Sequence, residues 1–359
     1  MAVAGRLAEP RDSGAPPAEL LYVGSRTGPE RELADRSSIT FRALDVAGGL
    51  RGMGISALGN ALALVRGFGQ AMGIMRGWRP DAILATGGYV CAPVVLAGWL
   101  ARVPSLIYLP DTEPGWAIRF LAPFAAKVAI TVDESARFFG KGKSVVTGYP
   151  VRADLAAHGR FEGRARFGVS EHDRLLLAAG GSRGARHING AISEVLPDLL
   201  TLAHLIHCSG QAEYDNLTER ARTLPDALRA RYHLHAYLHE MPLAMAAADL
   251  AISRSGASVL GEYPAVGLPS ILVPYAGGHR DQELNANYLA EHGAAMVIPD
   301  GELTGRALLS AVRNLLGDDQ RLASMSKAAS GLARPGAADR LAEQLQLLAH
   351  RGFSHTDGD

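Results

Sequence analysis

Short apolar runs alternate with longer stretches of helical periodicity along most of the chain, the pattern that parallel sheets with crossover helices produce. In the first half the runs predict strands over Leu20–Gly24, Ala82–Thr86, Ser105–Leu109, Val128–Val132 and Ser144–Thr147. In the second half they predict strands over Leu175–Ala179, Ala203–Cys208, Tyr232–His235, Leu250–Ser253, Ser270–Val273 and Ala295–Ile298. Between the two sets lies Gly148-Tyr-Pro-Val-Arg152, where Pro150 sets a stiff turn. A boundary there divides the chain into domains over 1–152 and 153–335. A last amphipathic helix over 336–350 carries Leu341, Leu345, Leu347 and Leu348 on its apolar side.

Two apolar stretches need closer reading. Tyr89–Leu109 is long enough to raise a membrane span, but Arg102 interrupts it and Pro93 and Pro104 cut it. It predicts a buried helix over Val94–Ala101 followed by a buried strand. From Ile55 to Trp78 a helical pattern puts Leu58, Leu62, Val65, Phe68, Met72, Met75 and Trp78 near one face, flanked by Arg51, Arg66, Arg76 and Arg79. Two readings stand: a face turned to the core, or a membrane-surface patch with arginines on anionic head groups.

With 359 residues the chain is large enough for two α/β domains. Lys+Arg (36) balances Asp+Glu (36), and no basic stripe reads as a duplex-binding surface, which argues against a nucleic-acid partner. Cys91 and Cys208 are too few for a disulfide framework and lack metal-site spacing. The low cysteine count makes a reducing cytosol the expected setting, and no basic n-region leads into a long apolar stretch as in a signal peptide.

The candidate chemistry sits in strand-to-helix turns. Thr86-Gly-Gly-Tyr-Val-Cys-Ala-Pro93 and Gly180-Gly-Ser-Arg-Gly-Ala-Arg186 each follow a strand. Missing side chains there let backbone N–H groups face an anion at the positive end of the next helix. Either turn is also compatible with close packing alone. A third turn, Ser253-Arg-Ser-Gly-Ala-Ser258, leads into a helix carrying Glu262, a carboxylate suited to a ribose diol or else simply solvated. His279-Arg-Asp-Gln-Glu-Leu-Asn-Ala286 is a dense polar cluster that suits sugar hydroxyls, although Asp281 or Asn285 could instead cap a helix. No histidine falls in a pattern that nominates a base.

Taken in order and spacing, these blocks, with Gly148-Tyr-Pro-Val-Arg152, resemble the MurG family of bacterial UDP-N-acetylglucosamine transferases (glycosyltransferase family 28). Those enzymes complete the lipid-linked peptidoglycan precursor. The resemblance runs from about Met1 to Leu348 and implies an α/β GT-B fold, two Rossmann-like domains facing a cleft. It implies UDP-N-acetylglucosamine contacts at Arg152, Gly181, Ser182, Leu238 (uracil), Gly256, Ala257, Glu262 (ribose), Asp281 and Gln282 (sugar). Gly87, Gly88, Tyr89 and Asp111 fall on the acceptor side. The implied partners are UDP-N-acetylglucosamine, an undecaprenyl-diphosphate-linked muramyl-pentapeptide and the cytoplasmic membrane surface, where the protein would be peripheral; no cofactor or metal is implied.

The chain departs from the family in three places. Asp281 stands where many relatives carry Gln. Tyr108-Leu-Pro-Asp111 replaces a His-Glu-Gln-Asn block. Met1-Ala-Val-Ala4 matches the middle of the family's first helix, so the first strand, its Gly-Gly-Thr-Gly-Gly-His loop and the base histidine are expected upstream of Met1, from a truncated or misassigned start. The alternatives are a related GT-B enzyme with another acceptor, such as a diacylglycerol glycosyltransferase, a UDP-N-acetylglucosamine epimerase, or a sugar-nucleotide-binding pseudoenzyme.

Overall fold

The first strands and helices of the chain, in order, are α1 (Ala2–Ala8), β1 (Leu21–Ser25), α2 (Glu30–Arg36), β2 (Thr40–Leu44), α3 (Ile55–Trp78) and β3 (Ile83–Ala85). They continue with α4 (Cys91–Leu100), β4 (Ser105–Leu109), α5 (Trp116–Leu121), β5 (Lys127–Ile130) and β6 (Ser144–Val146). These come from a computed structural model, which describes residues 1–9, 17–26, 30–46, 55–180, 186–277 and 280–353. The chain forms two units, Met1–Pro150 with Gly336–Asp359, and Val151–Pro335.

In the first unit every strand pairing is parallel. β1 pairs with β2, and β3-β4-β5-β6 form a second ladder; the other edges of β1 and β3 pair with no strand among the described residues. β2 has no counterpart among the strands expected from sequence. Its Thr-Phe-Arg-Ala-Leu alternation buries only Leu44 fully and carries a charge at its centre, so it lacks the continuous apolar run that marks its neighbours.

α3 and α4 cover one face. Ala71 and Met75 are buried with Leu44, Ile83, Val94 and Ala97, and Val23 packs on the same cluster, so one apolar layer serves both ladders. A Cβ at Gly98 would collide with the Ile83 side chain, which lets α4 lie close on β3. In the described part of α3, Ala71 and Met75 face the core, while Val65 is exposed. The side chains of Leu58 and Leu62 lie outside the described residues.

The second unit contains α6 (Arg160–Arg166), β7 (Leu175–Ala179), α7 (Arg186–Glu194), α8 (Leu196–Leu202), β8 (His204–Cys208) and α9 (Gln211–Arg222). It continues through α10 (Asp226–Arg229), β9 (Tyr232–His235), α11 (Met241–Ala247), β10 (Leu250–Ser253), α12 (Glu262–Val266) and β11 (Ser270–Leu272). α13 (Asp281–Glu291), β12 (Ala295–Val297), α14 (Gly305–Leu316) and α15 (Asp319–Gly331) complete it. Its six strands are all parallel in the order β12-β11-β10-β7-β8-β9. Leu175, Leu176, Leu177, Leu250 and Ile252 have no exposed surface, as central strands covered on both faces require. From β7 the strand order runs outward through β8 and β9 on one side and through β10, β11 and β12 on the other, so β7 and β10 flank the topological switch point at which open α/β sheets bind ligands beyond their carboxyl ends. The strands expected in this half all occur, with ends shifted by a residue at most.

The chain then returns to the first unit as α16 (Ala337–Phe353). Leu341, Ala342 and Leu348 pack with Val3 and Leu7 of α1 and with Leu106, Tyr108 and Ala129 of the sheet. Arg340 clamps this helix by donating Nε (3.0 Å) and Nη2 (2.7 Å) to the Thr147 carbonyl.

Candidate functional site

The switch point of the second unit gathers most of the donor-side residues expected from sequence. Gly180 ends β7, and Gly181 and Ser182 lie outside the described residues. Beyond β10, Ser253 to Gly256 form a turn that runs through a short 3-10 segment (Ala257–Leu260) into α12. Gly256 and Ala257 stand at the start of that segment, and Glu262 is the first residue of α12. Burial raises the Glu262 carboxyl above its ordinary range, against the pull of a Ser258 hydrogen bond and the charge of Arg152. Arg152 and Glu262 are therefore electrostatic neighbours although 110 positions apart in the chain (262 − 152). A half-hidden carboxylate with a cation and a hydroxyl beside it is equipped to take hydrogen bonds from a diol.

Leu238, between β9 and α11, is buried with Val259, Leu260 and Tyr263. That packing fixes the backbone of its loop beside the β10 turn.

The amino end of α13 is tied to the same turn. Ser255 Oγ donates to the Gln282 carbonyl (2.7 Å), and Asn285 Nδ2 donates to the Ser255 carbonyl (3.2 Å). Gln282 Oε1 accepts from the Tyr275 backbone N–H (3.0 Å), which joins the β11 loop to the cluster. The helix starts at Asp281, with neither Asp281 nor Asn285 as a side-chain cap, so the capping alternative is not what these residues do. Asn285 is wholly buried and serves as a bracket between α13 and the β10 turn.

Three further residues here escape sequence reading. Arg254 Nη1 reaches Asp300 Oδ1 at 2.5 Å and donates to the Val273 carbonyl (3.1 Å), with its guanidinium 5.4 Å from the Tyr275 ring centre. His187 Nδ1 lies 3.1 Å from Asp300 Oδ2. Burial raises the Asp300 carboxyl, but Arg254 and His187 outweigh it and hold it below the usual carboxylate range. Loops after β10, β11 and β12 are thus fastened to the first turn of α7. Arg254 is visible as a motif residue in the sequence, but a partner 46 positions away leaves no local signal.

In the first unit, Gly87 (φ +103°) and Gly88 (φ +83°) end β3 in left-handed backbone that favours glycine. A Cβ at either would meet nothing within 4 Å, so backbone shape and not crowding requires them. The turn leads into α4, where Cys91 Sγ donates to the Gly87 carbonyl (2.7 Å). Tyr89 is exposed. Asp111 stands two residues beyond β4, the strand next to β3. Tyr108 is buried, its hydroxyl 2.9 Å from Thr131 Oγ1. Burial raises the Tyr108 phenol strongly, and the nearby Tyr149 and Asp111 add to this.

Comparison with known proteins identifies the family of the chain. Residues 15–130 match the glycosyltransferase family 28 N-terminal domain, and residues 175–341 match the family 28 C-terminal domain. A UDP-N-acetylglucosamine–N-acetylmuramyl-(pentapeptide) pyrophosphoryl-undecaprenol N-acetylglucosamine transferase of Roseiflexus sp. is 42% identical, over 92% of this chain and 84% of its own. The protein of the same name from Desulforudis audaxviator is 39% identical, over 94% of this chain and 92% of its own. The crystal structure of Acinetobacter baumannii MurG superposes with a TM-score of 0.75 at 25% identity, covering 96% of this chain and 94% of that one. The fold is therefore GT-B, with two Rossmann-like α/β units built on parallel sheets, and the chain belongs to the MurG family of UDP-N-acetylglucosamine transferases within glycosyltransferase family 28.

Proposed function

We propose that this chain transfers N-acetylglucosamine, with inversion, from UDP-N-acetylglucosamine to an undecaprenyl-diphosphate-linked muramyl-pentapeptide in peptidoglycan synthesis. The observation that carries the reading is the half-hidden Glu262 carboxylate at the β7/β10 switch point, beside Arg152 and the Ser253–Ala257 turn. In this reading Glu262 takes the ribose diol, the Leu238 backbone the uracil, and Asp281 with Gln282 the sugar hydroxyls. Gly181, Ser182 and Arg152, with Gly256 and Ala257, surround the leaving diphosphate, whose growing charge backbone N–H groups stabilise. Gly87, Gly88 and Tyr89 take the acceptor's diphosphate. The 42%-identical relative bears this reaction in its name, which favours the muramyl acceptor over another lipid.

The assay is transfer of labelled N-acetylglucosamine to the muramyl lipid and, in parallel, to diacylglycerol. Muramyl transfer is expected, and transfer only to diacylglycerol, or none, would refute the reading. Glu262→Gln should raise KM for UDP-N-acetylglucosamine by about 10- to 100-fold, the worth of a hydrogen bond to a charged group. An unchanged donor KM would remove Glu262 from the ribose.

The same reading places the protein peripherally on the cytoplasmic face of the membrane. No helix among the described residues is long and apolar enough to cross a bilayer. The first unit instead exposes Trp99, Leu100, Trp116 and Phe120, each more than half accessible. Trp99 and Phe120 both pack on Phe124, at 5.3 and 5.9 Å between ring centres. The exposed Arg119 stands on α5, and the exposed Arg102 lies in the turn just beyond α4. Such an aromatic group with cations beside it suits the headgroup layer, where amphipathic rings and arginines are both favoured.

A further inference from the structure

The donor reading sets the diphosphate against two turns of the second unit, Gly180–Ala185 ahead of α7 and Ser253–Ala257 beyond β10. Backbone N–H groups stabilise a growing charge only when they already stand in place, so the spacing of the two turns has to be fixed. We propose that Asp300 is the positioning residue that fixes it, an inference that rests on the donor site proposed above.

Asp300 opens the short 3-10 segment Asp300–Glu302 beyond β12. It is buried, and each carboxylate oxygen meets a different partner. Oδ1 accepts from Arg254 Nη1 in the β10 turn (2.5 Å), and Oδ2 faces Nδ1 of His187, the second residue of α7 (3.1 Å). One planar group thus joins the turn after β10 to the start of the helix that follows the glycine-rich turn. Both partners are themselves held. Arg254 also donates to the Val273 carbonyl (3.1 Å), and its guanidinium lies against the Tyr275 ring. His187 precedes Ile188, which is buried in one core with Ile192, Leu308 and Val312.

The far end of α7 is gripped by the same stretch of chain. Glu194 Oε2 accepts from the Gly305 backbone N–H (2.8 Å). A Cβ at Gly305 would crowd Glu194 and the Ala191 carbonyl, so the start of α14 lies close on α7. Residues 300–305 therefore locate α7 at both ends, and the Asp300 end carries the connection on to the β10 turn. Cohesion alone does not call for a charge here, since a buried ion pair gains little over apolar contact of the same size. A carboxylate with one donor on each oxygen adds direction, and direction is what two anion-binding turns need to keep a common spacing.

The test uses the full chain. D300N keeps the shape of the side chain and removes its charge. Its affinity for UDP, measured by calorimetry, should fall about tenfold, the scale of a lost hydrogen bond to a charged group. Its affinity for uridine, which has no diphosphate, should stay within about twofold in an NMR titration; a general loss of structure would lower both. H187A removes an exposed ring, so the unfolding midpoint should not move while KM for UDP-N-acetylglucosamine rises about threefold or more and KM for the muramyl lipid does not. That rise should vanish when D300N is already present, because the two side chains act as one link. The assignment fails, and the transferase reading stands, if D300N binds UDP as wild type does, if UDP and uridine weaken alike, or if the H187A effect persists beside D300N. Should D300N not fold, H187A decides alone, and an unchanged donor KM overturns the assignment. A wild-type chain that binds no UDP would refute the donor site itself.

Discussion

Asp249 shows how much one side chain can organise in this molecule. It is buried at the amino end of β10, accepting from Arg160 Nη2 (2.7 Å), Arg164 Nη2 (2.8 Å) and the Leu175 backbone N–H (2.8 Å). Arg164 is 2% exposed and also donates to the Ser170 and Asp173 carbonyls, so its charge depends on this partner. Asp249→Asn keeps the shape but strands a buried guanidinium. It should lower stability by about 3 to 5 kcal/mol, read from the urea midpoint at constant slope. A change under about 1 kcal/mol would mean that Arg160 and Arg164 find other acceptors. Residues of this kind are illegible in sequence, because Arg160 and Arg164 look like one charged helix face and their partner lies 85 or more positions on. The position of Glu262 at a helix start beyond β10 was legible, because strand, turn and carboxylate stand in one continuous stretch. Gly87 and Gly88 were legible because their backbone conformation excludes most other residues.

Among the elements, β8 and β9 carry an uncommon load of histidine. His207 is buried, with Nδ1 2.9 Å from Tyr232 Oη and Nε2 3.0 Å from Asn189 Oδ1. His204 stacks on His233 at 5.8 Å between ring centres, and Phe167 stands edge-on to His233 and His235. Burial pushes His207 and His233 down to about 4, and lowers His204 and His235 as well. Lowered values mean that the unfolded chain binds protons first. Their contribution to stability is complete above the unfolded value of about 6.5 and is lost as pH falls from there through about 4. The thermal midpoint of the second unit should therefore drop across that window, and His207→Gln should flatten the drop. A midpoint equally steep in the variant would take His207 out of the account. Strand positions in this unit were readable because β7 and β10 are continuous apolar runs, whereas β2 was not, since half of it faces solvent. Periodicity also identified α3 but left its outward side open, because small residues (Gly67 and Ala71) make the contact and the larger ones lie beside it.

At the scale of the whole molecule, the sequence showed two α/β units but not which apolar side chains remain uncovered. Trp99 and Leu100 read as the end of a buried helix and prove to be exposed, next to Trp116 and Phe120. If this surface meets lipid, Trp99→Ala with Phe120→Ser should weaken binding to vesicles containing anionic lipid by about tenfold or more. Equal sedimentation of variant and wild type with vesicles would exclude it. The first unit also draws on separate parts of the chain, since α16 covers Leu106, Tyr108 and Ala129 alongside α1. This bears on synthesis, which proceeds from the amino end. All of Val151–Pro335 is made before α16, so the second unit can close its sheet while the first still has an apolar face open. A ribosome paused within Val151–Pro335 would hold a nascent chain whose earliest-made sheet is the last to be finished, and at that stage a chaperone has most to shield.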